Sequence, residues 1–124
     1  NIKMKYQNFG RIVNVSSIWG VISKEKRSLY SSSKSGLNGL TRALAVELAN
    51  KNILVNAISP GFIDTQLTSA SLTIEQKEEL IARVPLQRLG ETEEIAKLIH
   101  FFGSEENTFV TGQNIIADGG FSIV

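Results

Sequence analysis

Residues 29–61 read LYSSSKSGLNGLTRALAVELANKNILVNAISPG, and the hydrophobic period changes within them. Over 29–50, Leu29, Leu37, Leu40, Leu44 and Leu48 recur at spacings of eight, three, four and four, which predicts a helix with those leucines on one face. A second stripe, Ser32, Gly36, Gly39 and Ala43, runs beside it at spacings of four, three and four. A glycine inside a helix costs about 1 kcal/mol relative to alanine, so close approach by another helix, across a subunit interface, is the expected compensation. From Ile53 to Ile58 the apolar residues become nearly continuous, the pattern of a strand buried on both faces in a parallel sheet. Ser59-Pro60-Gly61 is expected to stop that strand, because proline brings no N–H to the ladder. A helix feeding a doubly buried strand makes the fold class α/β.

Working outward, residues 10–16 carry Ile12, Val13 and Val15 and predict another buried strand, while 17–28 have no period and form a connection. Residues 62–71 are irregular, and Thr73 with Gln76 three residues on predicts a capped helix to about Arg83, where Pro85 prevents continuation. Thr92 with Glu93 and Glu94 opens a further helix whose Ile95, Leu98, Ile99 and Phe102 share a side and which Gly103 ends. Residues 113–117 give a third strand, closed by Asp118-Gly119-Gly120. Strands alternating with helices predict a layered parallel sheet, and three strands are few for one, so further strands are expected upstream. No repeat or linker divides the segment. The start at Asn1 rather than Met points the same way, to part of a longer protein.

Composition narrows the function classes. In 124 residues, 13 Lys and Arg against 12 Asp and Glu leave a net charge of +1, without the basic excess of a protein held by phosphate contacts, so no nucleic acid partner is expected. Hydrophobic residues make up 42%, enough for a core. The absence of cysteine excludes disulfides, thiolate metal sites and a cysteine nucleophile. With no apolar run of membrane-spanning length and no signal-peptide layout over 1–10, no membrane partner and a soluble, cytoplasmic setting are expected.

The chemistry concentrates in Tyr30-Ser31-Ser32-Ser33-Lys34, where a spacing of four puts phenol and ammonium on one side of the helix. A free tyrosine titrates near pH ~10, and a fixed cation beside it stabilises the phenolate, which makes an acid/base for an alcohol or a developing alkoxide. Ser17 lies at the C-terminal end of the first strand, the sheet edge at which open α/β folds take ligands. Ser16 competes with it, and since neighbouring strand side chains point oppositely, only one of the two faces a site.

Asn14-Val15-Ser16-Ser17, the Tyr30 to Lys34 segment, Asn56-Ala57-Ile58-Ser59-Pro60-Gly61 and Asp118-Gly119-Gly120 together resemble the short-chain dehydrogenase/reductase family, in its order and spacing, from about Gly10 to the last residue. The branch is the single-domain one, similar to 3-oxoacyl-carrier-protein reductases. The resemblance implies the C-terminal half of a doubly wound, parallel-sheet Rossmann-type fold in three α/β/α layers. It further implies an NAD(P)-dependent oxidoreductase moving a hydride between nicotinamide and a small carbonyl or alcohol substrate, with NADP favoured over NAD. In that reading Ser17, thirteen residues before the tyrosine as in the family, orients the carbonyl. Tyr30 is the acid/base, and Lys34 bonds the nicotinamide ribose and depresses the tyrosine's pKa. Pro60 and Gly61 lie against the nicotinamide, the Ile63 backbone holds the carboxamide, the Thr65 hydroxyl contacts the cofactor, and residues 62–84 form a mobile lid.

Other residues read less sharply. Trp19 fits a substrate pocket or the core, and His100, within an apolar run and without metal-ligand partners, reads as structural. Lys24, Lys26 and Arg27 suit an anionic substrate or carrier, yet Glu25 interrupts them and such clusters are usually solvated surface. Asn8 stands where carrier-reducing members tend to have a basic residue.

The family's glycine-rich dinucleotide turn has no counterpart in these residues, so the isolated segment is expected neither to bind NAD(P)H tightly nor to turn over. The contrasting reading is an inactive segment that serves only assembly. In either case the 29–50 helix is expected to build a homodimer or homotetramer, as its counterpart does in the family.

Overall fold

The computed structural model describes residues 2–124. In chain order they form α1 (Ile2–Gln7), β1 (Gly10–Val15), α2 (Ser28–Leu48), β2 (Ile53–Pro60), β3 (Ile63–Asp64), α3 (Gln66–Ser71), α4 (Ile74–Arg83), β4 (Gly90–Glu91), α5 (Thr92–Phe102) and β5 (Asn114–Ala117). The expected strand–helix alternation holds. The helix α1, with Met4 packed on the core, is an addition the sequence reading did not foresee.

β1, β2 and β5 make a parallel sheet in the order β1-β2-β5, with Gly10 opposite Ile53 and Ala57 opposite Asn114. β2 is central, and its residues 53–59 are all buried, as its unbroken apolar run requires. Alternation along β1 separates the layers. Ile12 packs against the cluster that Ala45 and Leu48 of α2 form with Ile53 and Val55 of β2, and Asn14 donates to Thr41 of α2. Val13 reaches the opposite side, where Gly103 ends α5. Helices therefore cover both faces.

β2 does not stop before Pro60. The N–H groups of Ala57 and Gly61 bond Gln113 and Ala117 on the β5 side, so the nitrogen of Pro60 faces the β1 side, beyond the last pair Val15–Ile58. A missing donor costs nothing where no strand remains to be paired.

The leucine row of α2 is only partly buried. The helix lays Asn38, Thr41, Ala45 and Leu48 on the sheet, with Leu44 alongside, while Leu29 is 87% and Leu40 51% exposed. Small residues let the helix sit close. Thr41 is tolerated there because its hydroxyl accepts from Asn14 at 2.9 Å and donates to the Leu37 carbonyl at 2.9 Å. Ser32, Gly36 and Ala43 of the small-residue stripe are exposed, and a Cβ at Gly36 would enter open space among the described residues.

A buried amide fastens β2 to the approach of β5. The Asn56 side chain, fully buried, donates to the Val110 carbonyl at 2.8 Å and accepts from the Gln113 N–H at 3.0 Å. In Asn56→Ala the Val110 carbonyl keeps its bond from Asn107, and the Gln113 N–H loses the Asn56 oxygen. With the small cavity added, urea denaturation should show about 2 kcal/mol less stability.

The segment 62–84 folds as β3, α3 and α4, with no buried residue in either helix. The expected box at α4 is present: Thr73 Oγ1 accepts from the Gln76 N–H at 3.1 Å and Gln76 Oε1 from the Thr73 N–H at 2.9 Å. α5 starts at Thr92 as expected, with Glu91 as its cap. Glu94 accepts the Glu91 N–H at 3.0 Å and takes a bidentate pair from Arg88 at 2.6 and 3.0 Å. Those bonds, Arg88 foremost, hold the Glu94 carboxyl down to about 2. A folded-state value below the unfolded carboxylate's ~4.3 means that the stabilisation is complete above that pH and is lost as pH falls towards 2. Glu94→Gln keeps the cap acceptor and loses the charge. Its deficit in thermal midpoint should therefore be largest near neutrality and shrink steadily in melts taken down to pH 2.

Candidate active site

Ser16 and Ser17 follow the last residue of β1 and take different partners. Ser16 turns to α2, where its hydroxyl donates to the Lys34 carbonyl at 3.3 Å. Ser17 points the other way. It caps a short 3-10 turn over Ile18–Gly20, accepting from the Trp19 N–H at 3.2 Å, and its own O–H is left to donate.

The first turns of α2 bring up the other two groups. Tyr30 is 46% exposed, and the Lys34 ammonium lies 5.5 Å from the centre of its ring while donating to the Val15 carbonyl at 3.4 Å. That carbonyl ends β1, so strand and helix fix the cation together. Ser17, Trp19, Tyr30 and Gly61 line one open pocket of about 610 Å³, whose remaining wall is residues 26–29. Hydroxyl, phenol and the bare end of β2 thus face one space, with Lys34 against the phenol ring.

Gly61 is required by its own neighbours. A Cβ there would stand 2.6 Å from Asp118 Cβ and 2.8 Å from Asp118 Cα. The Asp118-Gly119-Gly120 motif builds that contact: Asp118 accepts from the Gly120 and Ser122 N–H groups at 2.9 and 2.8 Å, and φ is +63° at Gly119 and +91° at Gly120, which suits glycine. Burial pushes the Asp118 carboxyl up, but the bonds from Ser122 and Gly120 outweigh it and hold the group below its ordinary value. Phe62 stands edge-on between Trp19, at 6.1 Å, and Phe121, at 4.9 Å, and ties the pocket wall to the last turn of the chain.

The remaining expected residues lie apart. Pro60 adjoins Gly61 at the end of β2, where an open pocket meets the strand. Ile63 pairs through β3 with Gly90 and lines a separate hollow with Asp118 and Gly119. The Thr65 hydroxyl caps α3, accepting from the Thr68 N–H at 3.1 Å. Trp19 is a pocket residue, and His100 is exposed in the last turn of α5. Among the described residues no cluster of His, Cys, Asp and Glu could hold a metal, and no helix is long and apolar enough to cross a membrane. In the sequence Lys26 and Arg27 suit an anion or solvated surface, and Leu29 belongs to the helix face. All three line the pocket, because the connection folds back over the start of α2, which periodicity does not register.

The family model described as enoyl-(acyl carrier protein) reductase matches residues 2–122. The chain belongs to the short-chain dehydrogenase/reductase family. It is 45% identical over 117 residues to 3-oxoacyl-[acyl-carrier-protein] reductase FabG of Thermotoga maritima, covering 94% of this chain and 47% of that protein. To acetoacetyl-CoA reductase of Shinella zoogloeoides it is 45% identical over 117 residues, covering 94% and 48%. The solved structure of ElxO with NADP bound superposes with a TM-score of 0.89 at 36% identity, over 99% of this chain and 50% of that one. This short-chain dehydrogenase/reductase chain thus spans about half the length of the relatives it matches.

Proposed function

We propose that this chain supplies the catalytic half of an NAD(P)-dependent oxidoreductase acting on a carbonyl or alcohol. The observation that carries the reading is the convergence of Ser17, Tyr30 and Gly61 on one pocket with the Lys34 ammonium at the Tyr30 ring. Bound nicotinamide supplies or receives the hydride at the carbonyl carbon. Ser17 donates a hydrogen bond to the carbonyl oxygen and fixes its direction. The Tyr30 hydroxyl gives that oxygen a proton in reduction and takes it back in oxidation. Lys34 has three N–H donors and spends one on Val15, so two remain for ribose hydroxyls and the phenol oxygen. Pro60 and Gly61 present a flat, side-chain-poor end of β2 to the ring, and Ile63 and Thr65 complete the cofactor contacts once residues 62–84 close as a lid, with the Ile63 backbone and the Thr65 hydroxyl released from their present partners.

NADP is the favoured cofactor, supported by the NADP carried by ElxO, and the naming of relatives as reductases of 3-oxoacyl and acetoacetyl groups favours a carbonyl substrate. The chain is the C-terminal half of a single Rossmann-type domain. In the order β1-β2-β5, β1 has β2 as its one strand neighbour among the described residues, which suits a sheet continued by an upstream half. The enzyme works in the cytoplasm as a homodimer or homotetramer through α2, whose exposed Leu40 and Val46 and open Gly36 stripe suit a second copy. The same surface supports the second reading, an assembly module without chemistry. NAD(P)H oxidation by the full-length polypeptide, compared with Tyr30→Phe, separates the two: an enzyme loses turnover and keeps its oligomeric state, and a scaffold shows no turnover to lose.

A further inference from the structure

The wall of the active pocket is electrically one-sided. Lys26 and Arg27 line it beside Ser17 and Tyr30, and no carboxylate does. Lys24 adds a third cation, its ammonium 5.2 Å from the centre of the Trp19 ring that forms part of the same wall. Among the described residues the ion pairs are Lys77–Asp64 and Arg88–Glu94, so neither Lys26 nor Arg27 forms one. The backbone also departs from its easy conformations at this point, since Lys26 has φ +64°, a region that non-glycine residues enter at a cost. Lys26 and Arg27 are both exposed and stand at the wall that Ser17 and Tyr30 share.

We infer that Lys26 and Arg27 form a binding site for an oxyanion of the substrate, a carboxylate or a phosphate carried a few bonds from the reacting carbonyl. The inference rests on the oxidoreductase reading and deepens it from a carbonyl to an anionic carbonyl compound. The arginine fork donates two parallel hydrogen bonds to either oxyanion, and the lysine adds a compact charge. With Ser17 and Tyr30 gripping the carbonyl oxygen, a second grip on the anion fixes the plane of the carbonyl, and such two-point orientation is worth rate as well as affinity. Lys24, held over Trp19, contributes field rather than contact and raises the local concentration of anions.

The test is calorimetric titration of the full-length polypeptide, saturated with NADP so that no ketone is reduced, with two matched pairs of probes. Acetoacetate is set against methyl acetoacetate, and dihydroxyacetone phosphate against dihydroxyacetone. The expected result is at least tenfold tighter binding of one or both anions over the neutral partner, falling towards parity in Lys26→Gln/Arg27→Gln. The charge-matched control Lys5→Gln/Lys51→Gln, at exposed positions outside the pocket, should keep the preference. The responsive pair identifies the oxyanion as carboxylate or phosphate. Equal affinity within both pairs, or a preference that survives the Lys26/Arg27 double substitution, overturns the inference. The single variants Lys26→Gln and Arg27→Gln, each with an intermediate preference, stand in should the double variant fail to fold. Because binding is read without turnover, an anion-selective protein that reduces none of the four carbonyls with NADPH would sink the oxidoreductase reading and leave the anion site standing.

Discussion

Tyr30→Phe in the full-length polypeptide should lower turnover by about 10²–10⁴-fold, the range that a positioned general acid/base contributes. The substitution removes one oxygen and keeps the ring, so the Lys34 ammonium retains its place near the ring and its bond to the Val15 carbonyl. Tyr30 is 46% exposed and its side chain makes no hydrogen bond among the described residues, so its loss leaves no buried group unsatisfied. Thermal stability and cofactor affinity should stay within the scatter of the parent protein while kcat collapses. A variant that retained a tenth or more of its turnover would remove Tyr30 from the chemistry.

Gly61→Val should be the most damaging single change at the end of β2, costing about 3 kcal/mol and most of the activity. The added Cβ would fall 2.6 Å from Asp118 Cβ and 2.8 Å from Asp118 Cα, and neither atom is the end of a flexible chain. Asp118 is held by its bonds from Gly120 and Ser122, so it yields only by opening that turn. Yielding from the other side means moving the end of β2, and with it the floor of the pocket. Urea denaturation should report the stability loss, and NADPH titration a weakened cofactor site. Gly61→Val with unchanged stability would mean that the chain end is free to move away, and that the Asp-Gly-Gly turn does not brace the site.

Much of this was readable from residues because the signals are local. A run such as Ile53–Ile58 buried on both faces, the Thr73–Gln76 box and the Tyr30–Lys34 spacing each depend on neighbours in sequence, and each recurs in the fold as expected. Ser17 lines the pocket, and Ser16 bonds the backbone of α2 instead. What escaped is tertiary. Thr41 takes the buried side of α2 because β1 brings up the Asn14 amide as its partner, which a search for leucines passes over. Pro60 continues β2 because β1 has already ended, a fact about a neighbouring strand. Lys26 and Arg27 read in sequence either as attraction for an anion or as solvated charge, and the fold places both in the pocket lining. Thr65 reads as a cofactor contact by resemblance, and its hydroxyl here serves α3 as a cap.

The claim on which the rest stands is that one carbonyl oxygen is held by Ser17 and protonated by Tyr30. A crystal structure of the full-length polypeptide with NADP and acetoacetate measures it directly. The account predicts the keto oxygen within about 3.2 Å of both Ser17 Oγ and Tyr30 Oη, with the Lys34 ammonium on the ribose. A keto oxygen bonded to neither hydroxyl, with the nicotinamide bound elsewhere than against Pro60 and Gly61, would contradict it.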